Sequence, residues 1–197
     1  MKIANNHFTF QIQSVTWVSI CMALLIYPCL FLPENFGYEN GLFENIQLIV
    51  LLTGFIIAIR AENNKKFFYF AAMVIIILFL REINCGRTIF FPIPEEVNSF
   101  YGWKDLKYGY LAHPIFGLYM AYTAFYFIKN KLYFTLIKFV TKTKLPILDI
   151  GLMLSGMAIG LIAEKHIGNF ILEETGELLF YIALVGIIYL YTKYPKH

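Results

Sequence analysis

Six apolar runs dominate this chain of 197 residues, each close to the roughly 20 residues that a helix needs to cross about 30 Å of hydrocarbon. They lie at about 14–32, 41–59, 67–84, 110–128, 145–163 and 171–191. Inside a bilayer the backbone must satisfy its own hydrogen bonds, which makes such runs helices. The expected fold is therefore all-α, a polytopic integral membrane bundle of six transmembrane helices forming one domain. Composition agrees: 15% of the residues are charged, against roughly a quarter in a soluble domain. Twenty Phe and fourteen Tyr exceed what a soluble core of this size can bury. The formal charge of +3, with no concentrated basic face, excludes a nucleic-acid partner. Cys21, Cys29 and Cys85 are odd in number and lack paired ligand spacing, so no disulfide framework or zinc knuckle follows.

Two of the runs depart from a plain apolar span. The third is strictly apolar only from Phe67 to Leu80, but Ile83, Ile89, Phe90 and Phe91 carry it on to Pro92. If that helix persists, Arg81 and Glu82 lie inside the outer part of the membrane. The first run has the position of a cleaved signal peptide, yet Tyr27, Pro28, Leu30 and Phe31 stand where a small-x-small cleavage site would be needed. It is expected to be retained.

Lys and Arg set the orientation. One side of the six spans collects eleven basic residues, including Arg60, Lys65, Lys66 and the five from Lys129 to Lys144, and the other five. Both termini are expected in the cytoplasm. The segment 131–144 interleaves lysines with Leu132, Phe134, Ile137 and Phe139, as an interfacial basic helix on anionic lipid would. A plain charged loop fits the same pattern.

This topology places eleven of the thirteen acids, Glu95 among them, on the outer side. Glu44 sits one turn inside the second span, where an ionised carboxylate needs a partner, a proton or a wet cavity. Its alternative role is to complement the helix dipole. Asn45 and Gln47 add polar groups at the same end. Arg81 and Glu82 close the third span, with Arg87 shortly after. Neighbours in sequence do not face one another on a helix, so Arg81 and Glu82 are expected to reach different partners, unless they form a snorkelling pair that ends the span. His113 opens the fourth span before Pro114, either as a polar cap or as a site residue. Glu164, Lys165 and His166 end the fifth span, and Glu173, Glu174 and Glu177 begin the sixth. Glu173 and Glu177 share a helix face, and carboxylates that close favour a shared proton or a cation. Dipole complementarity would select the same acids.

Gly156 and Gly160 form a GxxxG, with Gly151 and Ser155 a second small pair, so another helix can approach closely. That span is the expected surface for a protein partner or a homo-oligomer. Asp149 is read as an interfacial acid near Lys144. The loop from Pro92 to Tyr110 is either an aromatic anchor at headgroup level or a lid over the outer site.

Glu39-Asn-Gly41-Leu-Phe-Glu44-Asn-Ile-Gln47 and Arg81-Glu82-Ile83-Asn84-Cys85-Gly86-Arg87-Thr88-Ile89-Phe90 resemble two segments of an uncharacterised bacterial multi-pass membrane family. There an acid-x-Gly-x-x-Glu opens one span and Glu-Glu-Ile-Ser-Trp-Gly-Gln-Arg-Ile-Phe closes the next. A histidine-containing span start and an acidic final span follow, similar to His113 and to Glu173, Glu174 and Glu177. The chain departs from the pattern at Arg81, Cys85, Arg87 and Thr88. The resemblance implies the bacterial inner (plasma) membrane and groups Glu44, Glu82 and His113, without naming a reaction.

The leading functional reading is a membrane-embedded enzyme with an outward-facing site acting on membrane lipid or a lipid-linked headgroup. Glu44, Glu82, His113 and Glu177 would be its acids and bases, with Arg81 or Arg87 on phosphate. Glu82, His113, Glu173 and Glu177 are the candidate ligands for a divalent metal. The alternatives are an accessory or structural membrane subunit, whose acids meet a partner's basic loop, and a small cation- or proton-coupled transporter.

Overall fold

The computed structural model describes residues 8, 9, 12–94 and 96–193. Glu95, Lys2 and Lys196 of the charge assignment lie outside them. The described chain is helical: α1 (Ser14–Cys29), α2 (Leu42–Ile59), α3 (Lys65–Glu82), the short α4 (Arg87–Phe90), α5 (Ala112–Lys129), α6 (Leu132–Lys142), α7 (Ile147–Ile162) and α8 (Phe170–Thr192). Extended pairing among the described residues is a two-residue parallel contact of β1 (Phe8–Thr9) with β2 (Leu145–Pro146) and an antiparallel bridge between Pro92 and Phe100. Three segments are long and apolar enough to cross a membrane, Glu34–Ile59, Gly109–Lys129 and Ile147–Ile167. A fourth is added if α3 and the helical stretch after it count as one bent span.

That stretch departs from the expected third span. The helix does not persist to Pro92; it ends at Glu82, and the segment Asn84–Phe90 turns away by 56°. Asn84, Cys85 and Gly86 have φ of 43°, 52° and 91°, left-handed backbone that no α-helix can contain. Arg81 and Glu82 therefore occupy a helix end.

α8 is the central element. Tyr181 and Ala183 at its middle are wholly buried, and it packs on α7, α2 and α1. Its closest neighbour is α7, because glycines face each other across that contact. A Cβ on Gly156 would lie 2.6 Å from the Phe180 nitrogen, and one on Gly176 would lie 2.6 Å from the Gly160 nitrogen. The helix that the GxxxG admits is thus α8 of the same chain. The other small residues, Gly151 and Ser155, face outward. α3 packs on α2, and α5 on α3.

At the opposite end of α7, Asp149 is not the interfacial acid that the sequence suggested. It is buried, and the Thr16 hydroxyl of α1 donates to its Oδ2 at 3.1 Å. The segment Leu132–Lys142 forms α6, whose Phe139 ring lies 5.0 Å from Phe67 and 4.9 Å from Tyr191.

Candidate functional site

Because the helices alternate in direction, the N-terminal ends of α2 and α8 meet the C-terminal ends of α3 and α7. A cavity of about 310 Å³ opens there, lined by Glu39, Glu44, Arg81, Glu82, Glu164, Glu173, Glu174 and Glu177. Seven glutamates face one arginine. Of the residues singled out by sequence, Glu44, Arg81, Glu82, Glu173 and Glu177 come together. Arg87 and His113 do not.

Glu44 shows how helix capping and site formation coexist in one side chain. Its helix starts at Leu42 because the turn closes on Gly41, whose amide donates to the Tyr38 carbonyl at 2.7 Å. A Cβ at Gly41 would meet that carbonyl at 2.5 Å. Glu44, in the first turn of α2, reaches back with Oε2 to accept the Asn40 amide. Oε1, however, is buried with no donor among the described residues. Burying a carboxylate oxygen in that condition is costly. Asn40 also donates its side-chain amide to the Thr88 carbonyl, which ties this turn to α4 beyond the break in α3.

One turn further along α2, Gln47 is fully buried. Its Nε2 donates to the Glu174 carbonyl at 2.9 Å and to Glu174 Oε2 at 2.8 Å. Its own Oε1, like that of Glu44, finds no donor. Two buried acceptors without donors thus belong to neighbouring turns of α2 at this end of the bundle.

From α3, Arg81 and Glu82 do contact each other, contrary to the expectation from helix geometry. Arg81 Nε donates to Glu82 Oε1 at 3.0 Å, while Nη2 donates to Glu177 Oε1 at 2.6 Å. The long arginine side chain swings towards α8, and one guanidinium spans both carboxylates. Its fork of donors permits this where a shorter cation would not reach. The buried Tyr181 hydroxyl donates to the same Oε1 of Glu82 at 2.6 Å.

Glu174, Glu177 and Tyr181 share one face of α8, set by spacings of three and four residues. Asn169 caps this helix, its Oδ1 accepting the Leu172 amide at 2.9 Å. The close α7 contact fixes its depth: a Cβ on Gly160 would touch Glu177 Cγ at 3.0 Å. As a result Glu82, Glu174 and Glu177 bring one carboxylate oxygen each within 4.8 Å of one another. That is a plausible spacing for oxygen ligands around a hard cation such as Mg²⁺, Mn²⁺ or Ca²⁺. Glu173 lines the same cavity beside this trio, whereas His113 lies in a different one.

His113 is exposed and lines a separate cavity with Trp103, whose ring centroid is 5.7 Å away. Arg87 lies over the Phe100 ring at 5.8 Å. With the Asn84 amide oriented to satisfy both groups, the Asn84 side-chain oxygen accepts from Arg87 Nη2 at 2.8 Å. The loop that carries Trp103 is tied to the site's edge, where the Glu39 amide donates to Asn98 Oδ1 at 3.0 Å.

The sequence marks Gln47 only as a polar group near Glu44, and does not single out Tyr181 at all. Tyr181 is four residues after Glu177, a spacing that places it on the same helix face, and this was the available signal. Compared with known protein families, curated proteins and solved structures, the chain finds no match.

Proposed function

We propose that this is a multi-pass membrane protein of six crossings, α1, α2, α3, α5, α7 and α8, with both termini on the cytoplasmic side. Its outward-facing carboxylate cavity binds a divalent cation and uses it in chemistry on a lipid or lipid-linked headgroup. The observation that carries this reading is the trio Glu82, Glu174 and Glu177, gathered from two helices with ligand oxygens within 4.8 Å. The unpaired acceptors Glu44 Oε1 and Gln47 Oε1 support it, since water or an ion at this end of the bundle would satisfy both. A bound divalent cation would activate water or polarise a phosphoryl oxygen. Arg81, half-exposed at the rim and already oriented by Glu82 and Glu177, is suited to hold a phosphate. Glu44 is placed to accept a proton. Inward of the cavity, Tyr181, Leu51 and Ile75 are at most 1% exposed, a closed layer that favours chemistry at one face over transport across the bilayer.

The test is elemental analysis of the purified protein in mild detergent, with lipid extracts of cells expressing each variant read by mass spectrometry. Near-stoichiometric divalent metal is expected in the wild type, lost in Glu82→Gln and Glu177→Gln and retained in His113→Ala, with a lipid species changing in step. A folded Glu82→Gln that leaves both metal content and lipid profile unchanged overturns the reading.

A further inference from the structure

α6 is too short to be a span. Its 11 residues cover about 16 Å, roughly half of what the hydrocarbon requires, and left-handed backbone at Lys131 (φ 51°) breaks it from the end of α5. The helix presents three faces. Leu132 and Phe139, seven residues apart, are buried, and the Phe139 ring packs on Phe67 of α3 and Tyr191 of α8. This face turns to the bundle. Tyr133, Leu136 and Ile137 are 38%, 45% and 52% exposed. At about 100° per residue they share one arc, roughly a quarter turn from the bundle face. Lys138 and Lys142, four residues apart and both exposed, share an arc about 170° from the apolar one. The bundle therefore flanks α6, with apolar side chains pointing one way at right angles to it and lysines the other.

Such an arrangement fits a helix lying flat at a membrane surface, with hydrocarbon against one face and headgroups against the opposite one. The polar side also has a place for a headgroup. Thr135, three residues before Lys138, lines a cavity of about 380 Å³ together with Asn130 and, from the start of α3, Asn64, Lys65 and Lys66. Ammonium, amide and hydroxyl donors of this kind suit a phosphate, and Glu62 is the acid that shares the lining. We infer that α6 lies flat in the membrane interface and binds anionic phospholipid there. Tyr133, Leu136 and Ile137 lie among the acyl chains, and Lys65, Lys66, Lys138 and Lys142 lie on the headgroup phosphates. Charge selects this occupant, because the four lysines belong to the side of the chain that collects eleven basic residues, and anionic lipid attracts such clusters. A neutral lipid would satisfy the apolar arc but not the lysines. That the leaflet is the cytoplasmic one rests on the six-crossing topology proposed above. The carboxylate cavity, at the other end of α3, plays no part in it.

The experiment uses the full chain with Cys21, Cys29 and Cys85 replaced by alanine and an environment-sensitive fluorophore attached at Ile137→Cys. The protein is reconstituted into phosphatidylcholine vesicles doped with either a phosphatidylglycerol or a phosphatidylcholine that carries a nitroxide quencher near the top of one acyl chain. Quenching is expected with both lipids, several-fold stronger with the phosphatidylglycerol. Combining Lys138→Gln with Lys142→Gln should shrink that preference, and adding Lys65→Gln and Lys66→Gln should abolish it. A fluorophore at Leu118→Cys, on the exposed face of α5, should show no preference between the two lipids. If Ile137→Cys does not fold, Leu136→Cys places the fluorophore on the same arc. An unquenched fluorophore at the folded position, as when a second copy or water covers this face, overturns the inference. So does equal quenching by the two lipids with all four lysines present, or a preference undiminished when they are replaced. Metal content separates this result from the reading above: the lysine variants should keep the metal, and Glu82→Gln should lose it while keeping the lipid preference.

Discussion

The two oxygens of Glu44 do different work, one closing the start of α2 and the other buried without a donor. The variants Glu44→Gln and Glu44→Ala should separate these roles. Glutamine keeps an acceptor for the Asn40 amide, so thermal unfolding should change little while affinity for a divalent cation falls. Alanine removes the cap as well, costing about 1 kcal/mol of stability in the same unfolding measurement. Tyr181→Phe removes a hydrogen bond to an ionisable partner, a class worth about 1.5–3 kcal/mol, and should lower the unfolding midpoint without changing helix content by circular dichroism. Single residues were legible in the sequence where their depth was anomalous, as for Glu44 and Glu82, acids at the edge of apolar runs. Tyr181 was not, because one tyrosine among fourteen has no contrast in a chain this aromatic. His113 was misgrouped because depth along a helix gives no information about which way round the bundle a side chain points.

The elements that build the site are the glycine contact of α7 with α8 and the left-handed break after α3. Gly176→Val would press a branched side chain into the Gly160 backbone, where a Cβ alone would already sit at 2.6 Å. Overpacking of this kind costs about 1–3 kcal/mol, and separating the helices should also displace Glu177, so unfolding midpoint and metal content should drop together. Gly151→Leu is the matched control: a Cβ there meets nothing within 4 Å, and both measurements should stay at wild-type values. The small-residue spacing of α7 was readable from sequence as a close helix contact, but not its partner, since spacing on one helix does not say which neighbour it faces. The end of α3 was read too long because Ile83, Ile89, Phe90 and Phe91 continue the apolar pattern. Hydropathy is insensitive to the backbone sign change at Asn84, Cys85 and Gly86.

For the whole molecule, the sequence yielded the helical class and the crowding of carboxylates at one end, both consequences of apolar runs interrupted at regular intervals. It could not yield the arrangement of the helices around α8, which depends on contacts between distant segments. The six-crossing topology makes its own prediction. With Cys21, Cys29 and Cys85 replaced by alanine, Asn169→Cys should be labelled by a membrane-impermeant maleimide on intact cells, and Glu62→Cys only after lysis. The reverse pattern would invert the molecule and turn the carboxylate cavity to the cytoplasm. The central claim, a divalent cation held by Glu82, Glu174 and Glu177, is tested most directly by anomalous diffraction from crystals soaked in Mn²⁺. A single strong anomalous peak among the carboxylates of those three residues is the expected result. Ordered, unmetallated carboxylates there at saturating Mn²⁺ would contradict it.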